Sequence, residues 1–250
     1  MTQEAEGSTL LKAVQAAAIS PASAKKVVAN LRRAAAIPRK GERPEDYNRR
    51  VAPVVGDAIV SRYSKLAATS GGVTALAGII PGIGTLVSAL GGGLADTVVC
   101  MKLQVDMCFC LAEAFGWDLD TEDARHLSFL IAAGGTLEQA GVEVGARVAS
   151  KAGVSMLRQY LKGAALQAIK EFFKRLGLVF TRKAVERALP FGVGVALGAS
   201  ANLALTRYVG GQAKKWFILD QTAPKAAARK RRRKAKYRAR RPPAAQRRGR

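Results

Sequence analysis

The sequence of 250 residues contains a single histidine, His126. One imidazole excludes a His-rich metal site, and any Ser-His-Asp triad would depend on this residue. The residues on either side of it, Arg125 and Leu127, carry no nucleophile motif. We therefore interpret His126 as a structural histidine. A hydrolase centred on His126 or Asp96 is the third-ranked function.

Cysteine is also scarce, and its three copies lie within eleven residues, at Cys100, Cys108 and Cys110. They lack the C-x-x-C spacing and a second ligand pair, so their expected role is that of small buried hydrophobes in a reducing compartment. The first residues are acidic, where a secretory signal would be basic. We expect a cytoplasmic protein.

Complete nucleotide and metal motifs are missing. The pairs Gly82-x-Gly84 and Gly192-x-Gly194 lack the third glycine of a dinucleotide loop, and no Gly-Lys-Ser/Thr follows. The acidic stretch 118–123 lacks the central glycine and distant Glu of a calcium loop. Its cap residues and acids instead predict a helix that begins near Thr121. We expect no cofactor and no metal, and catalysis is uncertain, with the sequence leaning against an enzyme.

Charge is absent from two runs, Leu66 to Ala95 and Ala188 to Thr206. Both contain a proline within two residues of a glycine, and both have glycines four residues apart, a spacing that lets helices approach closely. Pro81 divides the 30 residues of the first run into halves too short to cross a bilayer comfortably, since a span needs about 20 residues. One kinked span, a re-entrant hairpin and a buried core hairpin remain open.

Three polar residues near these runs are candidate polar contacts. On the predicted helix 94–115, Asp96 and Gln104 point toward the apolar side, whereas Lys102, Asp106 and Glu113 form a charged stripe typical of a solvated or inter-helix face. Asn202 lies within the second uncharged run. Two of them also have a structural interpretation: Asp96 as an acid in a first helical turn, rather than a contact to a ligand or a facing helix, and Asn202 as a bridge between helices.

Positive charge is concentrated at the C-terminus, where residues 225–250 hold 14 of the 41 Lys and Arg and no acid. This composition predicts a disordered tail. Such a tail binds anionic lipid or nucleic acid by the same electrostatics, or serves only as a solvated extension. The residues predicted to bind a polyanion are Arg229, Lys230, Arg231, Arg232, Arg233, Lys234, Lys236, Arg238, Arg240 and Arg241.

The fold is predicted to be all-α, a multi-helix bundle with two Gly/Pro-rich close-packing helical hairpins and the disordered basic tail. Period-two alternation is not sustained anywhere in the main domain. We divide the chain into a mobile or loosely docked basic helical segment at 1–44, a helical domain at 45–219 and the tail at 220–250. The predicted helices are 22–36, 45–65, 94–115, one from Thr121 to Gly134-Gly135, 137–151, 154–176, 181–189 and 191–217.

Residues 63–217 resemble the EcsC family in the order and spacing of their motifs. The matching residues are Gly71-Gly72, Gly91-Gly92-Gly93-Leu94-Ala95-Asp96, Gln104, Met107, Ala112, Phe115-Gly116-Trp117-Asp118-Leu119, Leu189-Pro190-Phe191-Gly192, Gly198, Asn202, Ala213 and Trp216-Phe217. The resemblance implies a bacterial, helical, membrane-linked protein and supplies no reaction.

The expected function is that of a non-enzymatic, membrane-associated binding or assembly factor on the cytoplasmic side, whose basic tail contacts anionic lipid or another polyanion. Its expected partner is an anionic membrane surface or a membrane protein complex, and association with a second copy of the chain is a further expectation. The second-ranked function is non-specific nucleic-acid binding through the tail.

Overall fold

The computed structural model describes residues 3–35, 37–69, 92–187 and 200–221. The described residues form helices and no strand, so the all-α prediction is confirmed. The two predicted Gly/Pro-rich hairpins and the predicted disordered tail lie outside the described residues. The helices are α1 Gln3–Ala17, α2 Pro21–Ala35, α3 Pro44–Thr69, α4 Gly92–Ala114, α5 Glu122–Gln139, α6 Lys151–Leu161, α7 Ala165–Arg187 and α8 at 200–221.

Four of these helices, α3, α4, α5 and α8, form a bundle with α4 at its centre. Gly210 of α8 packs between Val60 of α3 and Met107 of α4, so close that a Cβ at Gly210 would lie 2.8 Å from both Val60 methyls and 2.9 Å from the Met107 sulfur. Because real Cβ atoms do not approach other atoms this closely, any larger residue there would force Val60 and Met107 to shift. One turn further along α8, Lys214 pairs with Asp57, which lies earlier in α3.

The contacts along these helices fix their directions. Residues of α8 that come later face earlier residues of α3, so these two helices are antiparallel. The α8 residue Gln221 donates from its side-chain amide to the carbonyl oxygen of Phe115 at 2.9 Å, just past the end of α4, so α8 runs parallel to α4. Three described helix ends therefore lie at the same end of the bundle: the end of α3 at Thr69, the start of α4 at Gly92 and the start of α8 at residue 200. We call this end the run end, because the two uncharged runs join these helices there.

The N-terminal segment is not loosely docked, contrary to expectation. Helix α1 packs mainly against α7 and also against α4, while α2 packs against α3 and α4. Leu10, Val14 and Val28 are buried in the same hydrophobic core as the bundle. At Gly7 the backbones of α1 and α7 approach so closely that a Cβ would lie 2.7 Å from the Cα of Lys174. Segment 1–44 therefore shares a core with the helices that follow it.

Several predicted helix boundaries are wrong. Residues 140–150 of the predicted helix 137–151 form a loop between α5 and α6, because the chain turns at Gly141 and Gly145, both with positive φ angles. The predicted helix 154–176 is two helices, α6 and α7, separated at residues 162–164. Conversely, α5 does not end at Gly134-Gly135 but continues to Gln139, since the two glycines pack beneath Val148 and Val209.

The predicted start of α5 is confirmed. Thr121 adopts an extended conformation as the N-cap, and its hydroxyl accepts a hydrogen bond from the backbone N–H of Ala124. The acidic turn before α5 faces the basic helix α2, where Lys25 pairs with Asp120 at 2.6 Å. These acids therefore supply counter-charge to α2 as well as a helix start.

Candidate functional site

Two of the three predicted polar residues lie in the core of the bundle. Gln104 is fully buried, and its Oε1 accepts a hydrogen bond of 2.6 Å from the Thr136 hydroxyl of α5, while its Nε2 donates to the sulfur of Cys100 at 3.5 Å. Gln104 therefore joins α4 to α5. Asn202 is buried in α8. The backbone of Asp96 lies in α4, two turns before Gln104, and its side chain is outside the described residues, as are the predicted polyanion-binding residues of the tail.

Helical register brings two more hydroxyl groups to the level of Gln104. Ser64 lies four residues after Val60 on α3, and Thr206 lies four residues before Gly210 on α8. Because Val60 and Gly210 pack together and the helices are antiparallel, one turn along each brings Ser64 and Thr206 to the same level.

Gln104 reaches that level too, three residues before Met107 on α4 and on the same side of the helix. These residues form what we call the polar layer. Its members are Ser64, Gln104, Thr136 and Thr206, together with Asn202, which lies one turn nearer the run end.

Three atoms of the polar layer are buried without a partner. The Ser64 hydroxyl, the Thr206 hydroxyl and the Asn202 amide nitrogen make no hydrogen bond within the part of the chain that the structure describes. Their residues are only 2%, 0% and 7% exposed. Leaving a buried polar group unpaired costs about 1–3 kcal/mol, so native proteins rarely retain such groups without a purpose. All three groups can act as hydrogen-bond donors.

A second buried polar group, the pair Lys102–Asp106, lies on the other side of α4. Both residues are less than 5% exposed and bond to each other, and Asp106 Oδ1 also accepts from the backbone N–H of Ile19 at 2.9 Å. Burial raises the pKa of Asp106, an effect that Lys102 partly offsets. The sequence left two interpretations of the charged stripe, a solvated face or an inter-helix face. Lys102 and Asp106 lie on an inter-helix face.

The space beside this pair is small. A cavity of about 10 Å³ is lined by Asp106, Ile19, Arg125 and Ser128 among others. This volume holds about one water molecule and no larger ligand. The pair therefore anchors the α1–α2 connection to α4 and is not itself a binding site.

The three cysteines are buried thiols that form no disulfide with one another, as expected for small hydrophobes. Burial raises the pKa of Cys110 to about 12, and its sulfur lies 3.4 Å from the Tyr63 hydroxyl. Burial likewise raises the pKa of Cys108. Thiols held in this protonated state are poor nucleophiles.

A groove of about 650 Å³ lies between the 140–150 loop and α8. Glu138, half-buried on its edge, accepts hydrogen bonds from the backbone N–H of Val148 and, at 3.5 Å, from the Tyr208 hydroxyl. Burial raises the pKa of Glu138. Because both carboxylate oxygens are engaged in holding the loop against α5 and α8, the geometry assigns Glu138 a structural role.

Cations surround the described helices at the run end. Arg62, Lys65 and Arg207 are all exposed, and each lies within about two turns of the described end of its helix on that side. The tail begins at the opposite end, because Gln221 bonds next to the C-terminus of α4. Helix α8 separates the two ends by about 30 Å. Among the described residues, no helix is both long and apolar enough to span a bilayer.

The sequence identified Gln104 and Asn202 but missed Ser64, Thr136 and Thr206. Each of these hydroxyl residues sits three or four residues from a buried apolar residue, and that spacing is the signal that could have revealed them. His126 is half-buried on α5. Comparisons with protein-family models, curated proteins and solved structures find no match to this chain.

Proposed function

We propose that this protein is a non-enzymatic binding or assembly factor that associates with the cytoplasmic face of an anionic membrane through the run end of its bundle. The observation that carries the proposal is the place where the described helices join the two uncharged runs. The two runs are far apart in sequence. Nevertheless α3, which precedes the first run, and α4 and α8, which follow the two runs, meet at the same end of one bundle. The EcsC resemblance agrees with a membrane link but remains a prediction.

The cations at the run end support the same orientation. Long Lys and Arg side chains can extend along a helix to reach lipid phosphates, so Arg62, Lys65 and Arg207 suit the rim of a membrane-contacting surface. Near an anionic leaflet each contributes about 1 kcal/mol. Between Ala58 and Val105 the sequence contains one acid, Asp96, and between residue 200 and Leu219 it contains none, so little negative charge opposes contact.

The basic tail acts from the other end. Its 29 residues after Gln221 could reach about 95 Å if fully extended. This reach is about three times the length of α8. The tail can therefore reach the same leaflet by folding back, or bind a second polyanion away from it. Its arginine-rich segment, 229–241, supplies long-range attraction in either case.

Co-sedimentation of the full-length protein with vesicles tests the proposal. We expect binding to vesicles that contain phosphatidylglycerol and much weaker binding to phosphatidylcholine alone. Replacing Arg62, Lys65 and Arg207 together with serine should weaken binding at least tenfold, since three contacts of about 1 kcal/mol are removed.

The matched control replaces Arg39, Lys40 and Arg49, three exposed cations at the opposite end near the start of α3. This variant removes the same charge and should bind almost normally. Equal weakening by both triple variants, or no binding to anionic vesicles at low salt, would contradict the proposal. Retention of DNA by the full chain that is lost on deleting 222–250, with no vesicle binding, would favour the nucleic-acid function instead.

A further inference from the structure

A groove of about 520 Å³ lies at the end of the bundle opposite the run end. It is bounded by the start of α3, the end of α4 and the last described residue of α8, Gln221. Its lining includes Glu45 of α3, Glu113 of α4, and Trp117 and Asp118 just after α4. A volume of this size accommodates several side chains of a peptide. We call it the tail groove, because the C-terminal tail begins at its wall.

The end of α4 in the tail groove already binds hydrogen-bond donors from other helices. The Arg32 guanidinium donates to the carbonyl oxygen of Glu113 at 2.9 Å. Gln221 donates to the carbonyl oxygen of Phe115, also at 2.9 Å. These oxygens form the negative end of the α4 dipole, which favours cations. Half-buried Trp117 lines the same groove, and indole rings bind guanidinium groups.

The charges that line the tail groove leave two acids unmatched. The two arginines of the groove, Arg32 and Arg49, are both paired with a carboxylate. Glu45 and Asp118, in contrast, are exposed and form no ion pair with a residue that the structure describes. A cationic segment therefore complements this groove, whereas a polyanion would be repelled by its free carboxylates.

The tail is a cationic segment that begins at this groove. Gln221 forms part of the groove wall, and the arginine-rich segment 229–241 begins eight residues later. Eight extended residues span at most about 28 Å, so the first arginines stay within that distance of Gln221. The run end is farther, about 30 Å away along α8. Because a short connection gives an effective concentration in the millimolar range, weak individual contacts are enough for docking.

We propose that the arginine-rich segment 229–241 docks in the tail groove of its own chain. Its guanidinium groups pair with Glu45 and Asp118, approach the carbonyl oxygens at the end of α4 and stack on Trp117. Docked arginines are withheld from lipid phosphates and from nucleic acid, so the groove and a polyanion compete for the same side chains. This autoinhibitory contact goes beyond the membrane function and does not depend on how the run end binds.

Tryptophan quenching of a dye tests the proposal in the full-length protein. Ala235→Cys places a reactive thiol within the segment without removing a cation, while the native cysteines stay buried and protonated. Trp216 is fully buried and Trp117 lines the groove, so a bimane dye at position 235 contacts Trp117 when the tail docks. In about 0.15 M salt, where exposed charges act over about 8 Å, we expect strong quenching that Trp117→Phe largely removes.

Two double variants of the labelled protein locate the contact. Glu45→Gln with Asp118→Asn removes the unmatched charges and should abolish most of the quenching. Asparagine at position 118 keeps an acceptor for the backbone N–H of Asp120. The matched control, Glu122→Gln with Asp123→Asn, removes two exposed acids at the same end of the bundle that do not line the groove. This control should leave the quenching unchanged.

Inorganic polyphosphate serves as the competing polyanion. We expect its addition to restore the fluorescence, because it displaces the tail from the groove. A tail docked in about two-thirds of the molecules binds a polyanion about threefold more weakly than a free tail. The Glu45→Gln, Asp118→Asn variant should therefore bind polyphosphate about threefold more tightly than the control variant, which has the same net charge.

An unquenched dye in the starting protein, equal quenching in the two double variants, fluorescence that polyphosphate does not restore, or equal polyphosphate affinities in the two double variants would overturn the inference. Quenching that rises with protein concentration would place the tail in the groove of a second copy, and it would also overturn docking within one chain. Vesicle co-sedimentation is a separate measurement, so failure of the membrane function is distinguishable from each of these results.

Discussion

Replacing Gly210 with alanine is expected to lower the free energy of unfolding by about 3 kcal/mol. The new methyl group would lie within 2.9 Å of Val60 and Met107, and the branched Val60 side chain cannot move aside without disturbing α3. Overpacking of a core usually costs about 1–3 kcal/mol, and contact with two helices at once places Gly210 at the upper limit. Urea unfolding monitored by circular dichroism measures the change.

The neighbouring Gly211 provides the control. A Cβ at Gly211 has no atom within 4 Å, so Gly211→Ala should stabilise the protein by about 0.5–1 kcal/mol through helix propensity alone. Opposite signs for two adjacent Gly→Ala changes would show that α3, α4 and α8 meet at Gly210. Similar effects at both positions would be inconsistent with this packing.

Replacing Asp106 with asparagine is expected to lower the free energy of unfolding by about 3–5 kcal/mol. The change keeps the shape of the side chain and an acceptor for the Ile19 N–H, but it leaves the Lys102 charge buried without a counter-ion. Removing one member of a buried pair costs this much because the remaining charge stays desolvated. The effect is measured by chemical unfolding at neutral pH.

Two companion variants separate the pair from general effects of charge. Asp57→Asn breaks the pair with Lys214, in which Asp57 is 70% exposed, and should cost less than about 1 kcal/mol. The double change Lys102→Met with Asp106→Leu removes both buried charges and should restore most of the lost stability. A double variant as unstable as Asp106→Asn would refute this explanation.

The helix starts and the apolar faces could be predicted from the sequence because they depend on local chemistry. The cap at Thr121 and the long helices α3 and α4 followed from cap residues and periodicity. Helix α1 was missed because its Gly7, which locally disfavours a helix, is needed for the close approach to α7. The helix predicted at 137–151 was also wrong because of glycines. Helix-forming residues there are interrupted by glycines whose positive φ angles the sequence does not reveal.

The candidate site was only partly predictable. Gln104 and Asn202 stood out as amides on apolar faces, and both are buried. Ser64 and Thr206 did not stand out, because hydroxyl residues within helices usually donate to the carbonyl four residues earlier. Only the register of α3 against α8 places them together. The Gly/Pro hairpins, the role of the tail and the EcsC relationship remain predictions.

Fluorescence quenching by lipid shows which end of the bundle contacts the membrane. Lys65→Cys and Glu45→Cys place one reactive thiol at either end of α3, about 30 Å apart, while the native cysteines stay buried and protonated. Each variant, labelled with a nitrobenzoxadiazole dye, is mixed with anionic vesicles that carry a headgroup spin label. We expect strong quenching at position 65 and little at position 45, because the run end faces the membrane. Equal quenching at both positions, or stronger quenching at position 45, would contradict it.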